Sequence, residues 1–229
     1  MFWLGYTSSM AAKKLGVLYS FPVLFLLLCS LVLNGVLLLR KAPEKTGTVV
    51  IGVVDGDTLV LEGKVRVRLR YADAPELTFC GGIEAKEELE KLVVGKKVVI
   101  DEQIPDQFGR GMAMVYEGST LINQKMLESG WARFHHDTTK DKDMLKAVAD
   151  KAKKDGIGIF GKCQTKENPE NPKCNVKGNI DDATDEKRYY IPGCAQYAYT
   201  IVELDVGEQW FCSEKEARAA GYTKAETCK

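Results

Sequence analysis

Apolar and polar residues alternate along residues 47–72, which is the pattern of β-strands with one buried face. The alternation and its interruptions predict three strands, at about residues 47–54, 57–62 and 65–72. Between the first two, Asp55-Gly56 predicts a tight hairpin turn, because Asp-Gly supplies the positive φ that such turns need. This part of the chain is therefore predicted to be antiparallel sheet.

The third predicted strand has two chemically different faces. One face carries Val65, Val67, Leu69 and Tyr71, and the other carries Arg66, Arg68 and Arg70. We expect the apolar face to pack into a core. We also expect Arg66 and Arg70 to be solvated neighbours of Arg68.

Helical periodicity of apolar residues follows the strands. It predicts helices at about residues 84–94, 121–129 and 142–154, and two more strands at about 96–101 and 111–116. Five strands with helices inserted late predict an α+β fold, a five-stranded OB-type Greek-key barrel with three helices. We assign this domain to residues 47–162.

The N-terminal part has a different pattern. Residues 15–39 are a run of 25 uncharged residues, which at about 1.5 Å per residue is enough to cross a hydrocarbon core of about 30 Å. We therefore interpret residues 1–46 as a membrane anchor with a transmembrane helix, followed by a short linker. A long cleaved signal peptide is the alternative, and Met10 is an alternative start to Met1.

Residues 163–229 are predicted to form a small cysteine-rich module with a little sheet and a helix at 214–220. Outside the apolar run the chain has six cysteines and no CxxC pair: Cys80, Cys163, Cys174, Cys194, Cys212 and Cys228. This pattern favours disulfides, and hence export, over a zinc site. The short Cys163–Cys174 spacing is the preferred bridge. Because the module has five cysteines, one must pair with Cys80 or with another chain.

The near-equal numbers of acidic and basic residues limit how the protein could bind a polyanion. The chain has 32 basic and 32 acidic residues, with a net charge of −1 in residues 47–162 and −3 in residues 163–229. Proteins that grip nucleic acid through many phosphates have a basic surface instead. A polyanion is therefore expected to be held locally, by a few cations in one cleft.

Several acidic and basic residues in and after these strands are not needed to form a sheet. They are the residue types that phosphodiester cleavage needs. Asp57 and Asp73 supply hard oxygen ligands for a calcium ion at the ends of neighbouring strands. Glu76 follows closely enough to act as a general base on a water beside that ion. Arg68 and Arg110 are the guanidiniums that can hold phosphate oxygens in a bidentate manner.

Five blocks in order, "VVDGDTL", "VRLRYADAPEL", "EAKEELEKLV", "DQFGRGMAMVY" and "LINQKMLESGWA", resemble the staphylococcal nuclease family, also called thermonucleases. The resemblance implies a calcium-dependent phosphodiesterase of the endonuclease type that acts on DNA and/or RNA and leaves 3′-phosphate ends. It implies calcium ligation by Asp57, Asp73 and the backbone carbonyl of Ala74. It implies catalytic roles for Arg68, Glu76 and Arg110.

The chain departs from the family pattern at the nucleotide pocket. Gln107 and Phe108 stand where some members have Lys and Tyr, and His136 falls near a substrate-stacking tyrosine. Phe108 and His136 are therefore candidate substrate-binding residues. Asp106 is expected to be a turn residue, and the resemblance matches Asp55 to an acidic residue near the metal that need not be a direct ligand.

The sequence thus predicts an exported, membrane-anchored nuclease whose catalytic domain lies outside the cytoplasm, or a secreted one if the N-terminal segment is cleaved. The expected partners are a DNA or RNA substrate and a membrane contacted through residues 15–39; no protein partner is predicted. The alternatives are a catalytically silent nucleic-acid-binding or scaffold module of the same fold, and a surface protein that displays the C-terminal module. The end of that module resembles the end of a zinc module in Ada-type repair proteins but lacks its paired ligands, so we assign it no function.

Overall fold

The computed structural model describes residues 20–39, 46–106, 109–136 and 142–228. Contacts between Cα atoms divide the chain into two compact units, Met1–Lys45 and Thr46–Lys229. The predicted barrel and the predicted cysteine-rich module thus lie in one compact unit. The boundary between them near residue 162 stays a prediction.

The first unit contains one described helix, α1, over Ser20–Leu39. Residues 15–19 of the predicted span lie outside the described residues. Within the part of the chain that the structure describes, no helix is long and apolar enough to cross a membrane. The predicted transmembrane helix is therefore not confirmed.

The second unit begins with the strands and helices that surround the larger core. The strands are β1 Thr48–Val53, β2 Thr58–Leu61, β3 Arg66–Leu69, β4 Ala72–Asp73, β5 Lys97–Pro105, β6 Gly111–Glu117, β7 Thr120–Leu121 and β8 Arg133–Phe134. The helices are α2 Gly82–Val93, α3 Ile122–Glu128, α4 Lys142–Lys154 and α5 Ile159–Lys162. The helices predicted at 84–94, 121–129 and 142–154 are confirmed within two residues.

Pairing of the strands closes a barrel. The sheet has the order β3-β2-β1-β5-β6-β7, and an additional parallel pairing of β3 with β6 joins its two sides. Its core is apolar and includes Leu59, Leu69, Leu89 and Met126, each almost fully buried. The α+β, OB-like fold predicted from the sequence is confirmed, but in the described residues the sheet has six strands and not five, because the short β7 extends it, and α5 adds a fourth helix to the three predicted.

The turn between β1 and β2 forms for a different reason from the predicted one. The amide of Val54 donates to the carbonyl of Thr58 at 2.8 Å, but Gly56 does not have a positive φ. A Cβ atom on Gly56 would lie 2.5 Å from the Cβ of Ala85 and 2.6 Å from the Cβ of Ala74. Glycine therefore allows α2 and the segment after β4 to approach the turn, and this brings Ala74 beside the residue that follows Gly56.

The prediction for the third strand is wrong at both of its ends. Val65 is 52% exposed, whereas Arg70 is only 4% exposed and donates through Nη1 to the carbonyl of Glu102 at 3.0 Å. The physical reason is that β3 ends at Leu69 and the backbone of Tyr71 has a φ of 65°. The alternation of faces therefore does not extend to Arg70.

The C-terminal part adds a small second core. Its elements are β9 Gln164–Thr165, β10 Val176–Ile180, β11 Lys187–Tyr190, β12 Val202–Glu203, β13 Trp210–Phe211, α6 Glu214–Ala219 and β14 Thr223–Lys224. Four strands form a sheet of order β13-β10-β11-β14, over a cluster that includes Val176, Tyr189, Phe211 and Tyr222. This confirms the expected little sheet and helix.

Disulfides are confirmed, but the preferred Cys163–Cys174 bridge is wrong. The bridges among the described residues are Cys80–Cys163, Cys174–Cys212 and Cys194–Cys228. Cys163 lies at the end of α5 beside Gly81, where a Cβ atom would be 3.4 Å from its sulfur. The sulfur of Cys163 therefore faces Cys80 and not the loop that follows it.

Candidate active site

Among the candidate site residues that the structure describes, Asp57 is the most deeply buried, at 2% exposed. Its Oδ1 accepts a hydrogen bond from the Thr58 hydroxyl at 2.8 Å, and its Oδ2 accepts one from the amide of Ala74 at 3.0 Å. Burial raises the pKa of this carboxyl to about 7, against the opposing effect of Arg68. A nearby positive charge therefore favours the ionised form.

Arg68 lies between the two predicted calcium-ligand aspartates. Antiparallel pairing of β2 with β3 places it opposite Thr58, next to Asp57. Its Nη2 is 2.7 Å from Oδ2 of Asp57 and also contacts Oδ1 of Asp73. Oxygens of both carboxylates therefore converge on one point.

Glu76 follows Asp73 on an irregular segment. Asp73 is held in β4 by antiparallel pairing with β8, opposite Arg133. Beyond it Pro75 is buried, whereas the side chain of Glu76 is exposed. Among the described residues no side chain forms a hydrogen bond or ion pair with the Glu76 carboxylate, so its backbone sets its position.

Arg110 is presented by the turn between β5 and β6. The carboxylate of Asp106 accepts from the Arg110 amide at 2.7 Å and from its Nε at 2.6 Å. The amide of Asp106 donates in turn to the carbonyl of Arg110 at 2.8 Å. Asp106 is thus a turn residue, as expected, and it also orients the guanidinium.

These elements meet at one open cleft of about 640 Å³, whose lining includes Arg68, Asp73, Glu76, Asp106, Arg110 and His135. Asp57 lies directly behind Arg68. The described structure does not place His136 in this lining, although His136 is exposed. Phe108 lies outside the described residues, so its predicted role has no structural counterpart here.

Comparison with known proteins identifies the fold. The family model "Staphylococcal nuclease homologue" matches residues 66–162. An uncharacterized endonuclease of Haemophilus influenzae is 33% identical over 139 residues, which are 59% of this chain and 78% of that protein. The chain belongs to the staphylococcal nuclease family.

Two further relatives with nuclease names are similar to about half of the chain. A micrococcal nuclease of Shigella flexneri is 30% identical over 125 residues, covering 48% of this chain and 71% of that protein. A probable staphylococcal-like nuclease of Oryza sativa is 38% identical over 104 residues, covering 45% of this chain but only 26% of that protein. The chain thus spans about a quarter of the length of the rice relative.

The chemistry of the donor set fits a hard cation. Oxygens of Asp57 and Asp73 converge, and the segment continues directly into Ala74, whose carbonyl is the third predicted ligand. Among the described residues, no group of three or more His, Cys, Asp or Glu side chains could hold a metal ion. Two carboxylates and one carbonyl form a smaller set, which suits an ion that takes its remaining ligands from water and substrate.

Two residues that line the cleft, His135 and Tyr71, were not among the candidates predicted from the sequence. His135 lines the cleft where His136 was the candidate, and its amide donates to the carbonyl of Tyr71 at 2.9 Å. Tyr71 also lines the cleft, and its ring stacks on Phe134 with centroids 5.7 Å apart. Both follow from the pairing of β4 with β8, and neither strand is long enough to give a signal in the sequence.

Proposed function

We propose that the protein is a calcium-dependent nuclease that hydrolyses phosphodiester bonds of DNA and/or RNA. The observation that carries the proposal is the single cleft shared by Arg68, Asp73, Glu76 and Arg110, with Asp57 directly behind Arg68. The endonuclease and micrococcal nuclease names of two relatives support it. A catalytically silent module would have no need for this combination of acids and arginines.

In the proposed reaction the side chains have separate tasks. Asp57, Asp73 and the carbonyl of Ala74 would hold calcium, which would supply polarisation of a phosphodiester oxygen and a fixed place for the attacking water. Glu76 lines the cleft and is exposed, so it would act as the general base that takes a proton from the attacking water. Arg68 and Arg110 neutralise charge that develops on the phosphoryl oxygens.

Both arginines carry carboxylate partners that a substrate phosphate would replace or share. Arg68 contacts the two aspartates, and Nε of Arg110 donates to Asp106 at 2.6 Å. These contacts hold each planar guanidinium in place before substrate arrives, which lowers the ordering cost of binding. Since the chain is neutral overall, the salt dependence of substrate binding should be that of only a few phosphate contacts.

We also propose that the catalytic domain works outside the cytoplasm. Three disulfides among the described residues support an oxidising compartment. Anchoring through residues 15–39 is proposed from the uncharged sequence alone. Fractionation of cells and external protease treatment test this, and a soluble product beginning shortly after residue 40 would show cleavage instead.

The deciding experiment incubates the full-length protein, purified in detergent, with single-stranded DNA and with RNA, in calcium or in chelator. We expect hydrolysis that needs calcium and is abolished in Asp73→Ala. Binding of nucleic acid without hydrolysis would favour the silent module. Hydrolysis that is equal in chelator would overturn the calcium dependence.

A further inference from the structure

The segment that carries Glu76 is short and tightly turned. We call this segment, residues 76–82, the base loop. The amide of Phe79 donates to the carbonyl of Glu76 at 2.8 Å, and the amide of Gly82 donates to the carbonyl of Phe79 at 3.1 Å. A Cβ atom on Gly82 would overlap the carbonyl of Glu76. Movement of the loop backbone would therefore move Glu76.

The C-terminal part of the chain contacts the base loop at two adjacent positions. Cys80 is bridged to Cys163, 83 residues later in the chain. The ring of Phe79 lies against Gly207, where a Cβ atom would be only 2.7 Å from the ring Cζ. Gly207 has a φ of +86° and ends the short turn after β12. We call Cys163 and Gly207 together the clamp.

The two parts of the clamp are joined to each other and to the barrel. The amide of Leu204 donates to the carbonyl of Cys163 at 2.9 Å, and β12 pairs with β9 directly after Cys163. Glu203 and Asp205 flank Leu204 and both bind Arg133, at 2.8 Å and 2.6 Å. Since Arg133 pairs with Asp73 across β8 and β4, the clamp is anchored beside the strand that carries Asp73.

We propose that the clamp is a positioning device for the general base, so that the cysteine-rich C-terminal part contributes directly to turnover. The inference rests on the proposed nuclease function for its kinetic consequence. The carboxylate of Glu76 has no side-chain partner among the described residues, so the held backbone is what fixes it. Displacement of a catalytic group by about 1 Å can cost about a hundredfold in rate.

Three changes to the full-length protein test the clamp: Phe79→Ala, Gly207→Ala, and the double change Cys80→Ser with Cys163→Ser. Each should lower kcat about tenfold or more with little change in KM, because the base and not substrate binding is displaced. Phe79 is 39% exposed, so of the three changes its truncation is expected to cost the least folding stability.

The chain offers matched controls. Gly221 has a φ of +87°, but a Cβ atom there would have nothing within 4 Å, so Gly221→Ala imposes the same backbone strain without touching the base loop. Cys174→Ser with Cys212→Ser removes a bridge that lies within the C-terminal part. Both controls should lower the melting temperature, and at temperatures well below it they should keep the wild-type kcat.

Amide hydrogen exchange gives a readout that does not need activity. Faster exchange at the amides of Phe79 and Gly82 is expected in the three test variants and not in the controls. Unchanged exchange, or kcat within twofold of the matched control, would overturn the inference. If the wild-type protein hydrolyses nothing, the proposed function is wrong and the exchange comparison alone decides whether the clamp holds the loop.

Discussion

Replacement of Arg68 by lysine tests whether the cleft works through the planar guanidinium or through positive charge alone. Arg68 contacts carboxylates of both Asp57 and Asp73 with one nitrogen, and its side chain lines the cleft. Lysine keeps one point charge and can replace only part of this geometry. Loss of one oriented donor to a transition-state oxyanion typically costs about 3–4 kcal/mol, which is roughly a hundredfold to a thousandfold in kcat.

The effect on stability should be much smaller than the effect on rate. The side chain of Arg68 is 21% exposed, and lysine retains an ion pair with at least one aspartate. Partly solvated pairs contribute on the order of 1 kcal/mol, so the melting temperature should fall by only a few degrees. Arg66→Lys on the same strand is the matched control, since Arg66 is exposed and lies outside the cleft lining.

Initial rates on single-stranded DNA at saturating calcium, together with thermal melts, measure both quantities. We expect kcat to fall about a hundredfold or more in Arg68→Lys and to stay at the wild-type value in Arg66→Lys. A kcat for Arg68→Lys within threefold of wild type would refute the bidentate role. A large loss of melting temperature with unchanged kcat would make Arg68 a structural residue only.

Further changes separate the base, the ligands and the buried acids. Glu76→Gln should lower kcat about a hundredfold or more while calcium still raises the melting temperature, and normal turnover would exclude Glu76 as the base. Asp57→Ala and Asp73→Ala should remove the calcium-dependent rise in melting temperature along with activity; a retained rise would exclude them as ligands. Burial raises the pKa of Glu208 to about 7, above its unfolded value, so its contribution to stability is complete below about pH 4 and is lost as pH rises through about 7. The free energy of urea unfolding should therefore fall between pH 4 and 8 by up to about 3 kcal/mol more in the wild type than in Glu208→Gln; equal slopes would contradict the shift.

Local pattern was sufficient for most elements of the barrel. The helix over Lys142–Lys154 has the predicted bounds, because its apolar positions recur at helical spacing along one face. The strands around Asp57 and Arg68 follow from alternation, and the pairing of β2 with β3 brings these two residues together. The proximity of residues on paired neighbouring strands was therefore accessible from the sequence, whereas their roles stay predictions.

The errors lie where tertiary contacts override local pattern. Arg70 is buried because the chain turns at Tyr71, and no alternation rule contains that turn. Gly56 is required by the side chains of Ala74 and Ala85, which are 18 and 29 residues away in sequence. The Cys80–Cys163 bridge spans 83 residues, and spacing alone cannot select it among the alternatives.

The part of the chain that matches the family model ends before the compact unit does. Contacts made by the remaining residues are therefore not explained by the family. The match ends at residue 162, one residue before Cys163, whereas the compact unit continues to Lys229. A chain cut at the end of the match would leave Cys80 without its bridge and Arg133 without Glu203 and Asp205. Family resemblance therefore accounts for the side chains in the cleft, and the contacts that hold two of its elements come from outside the matched region.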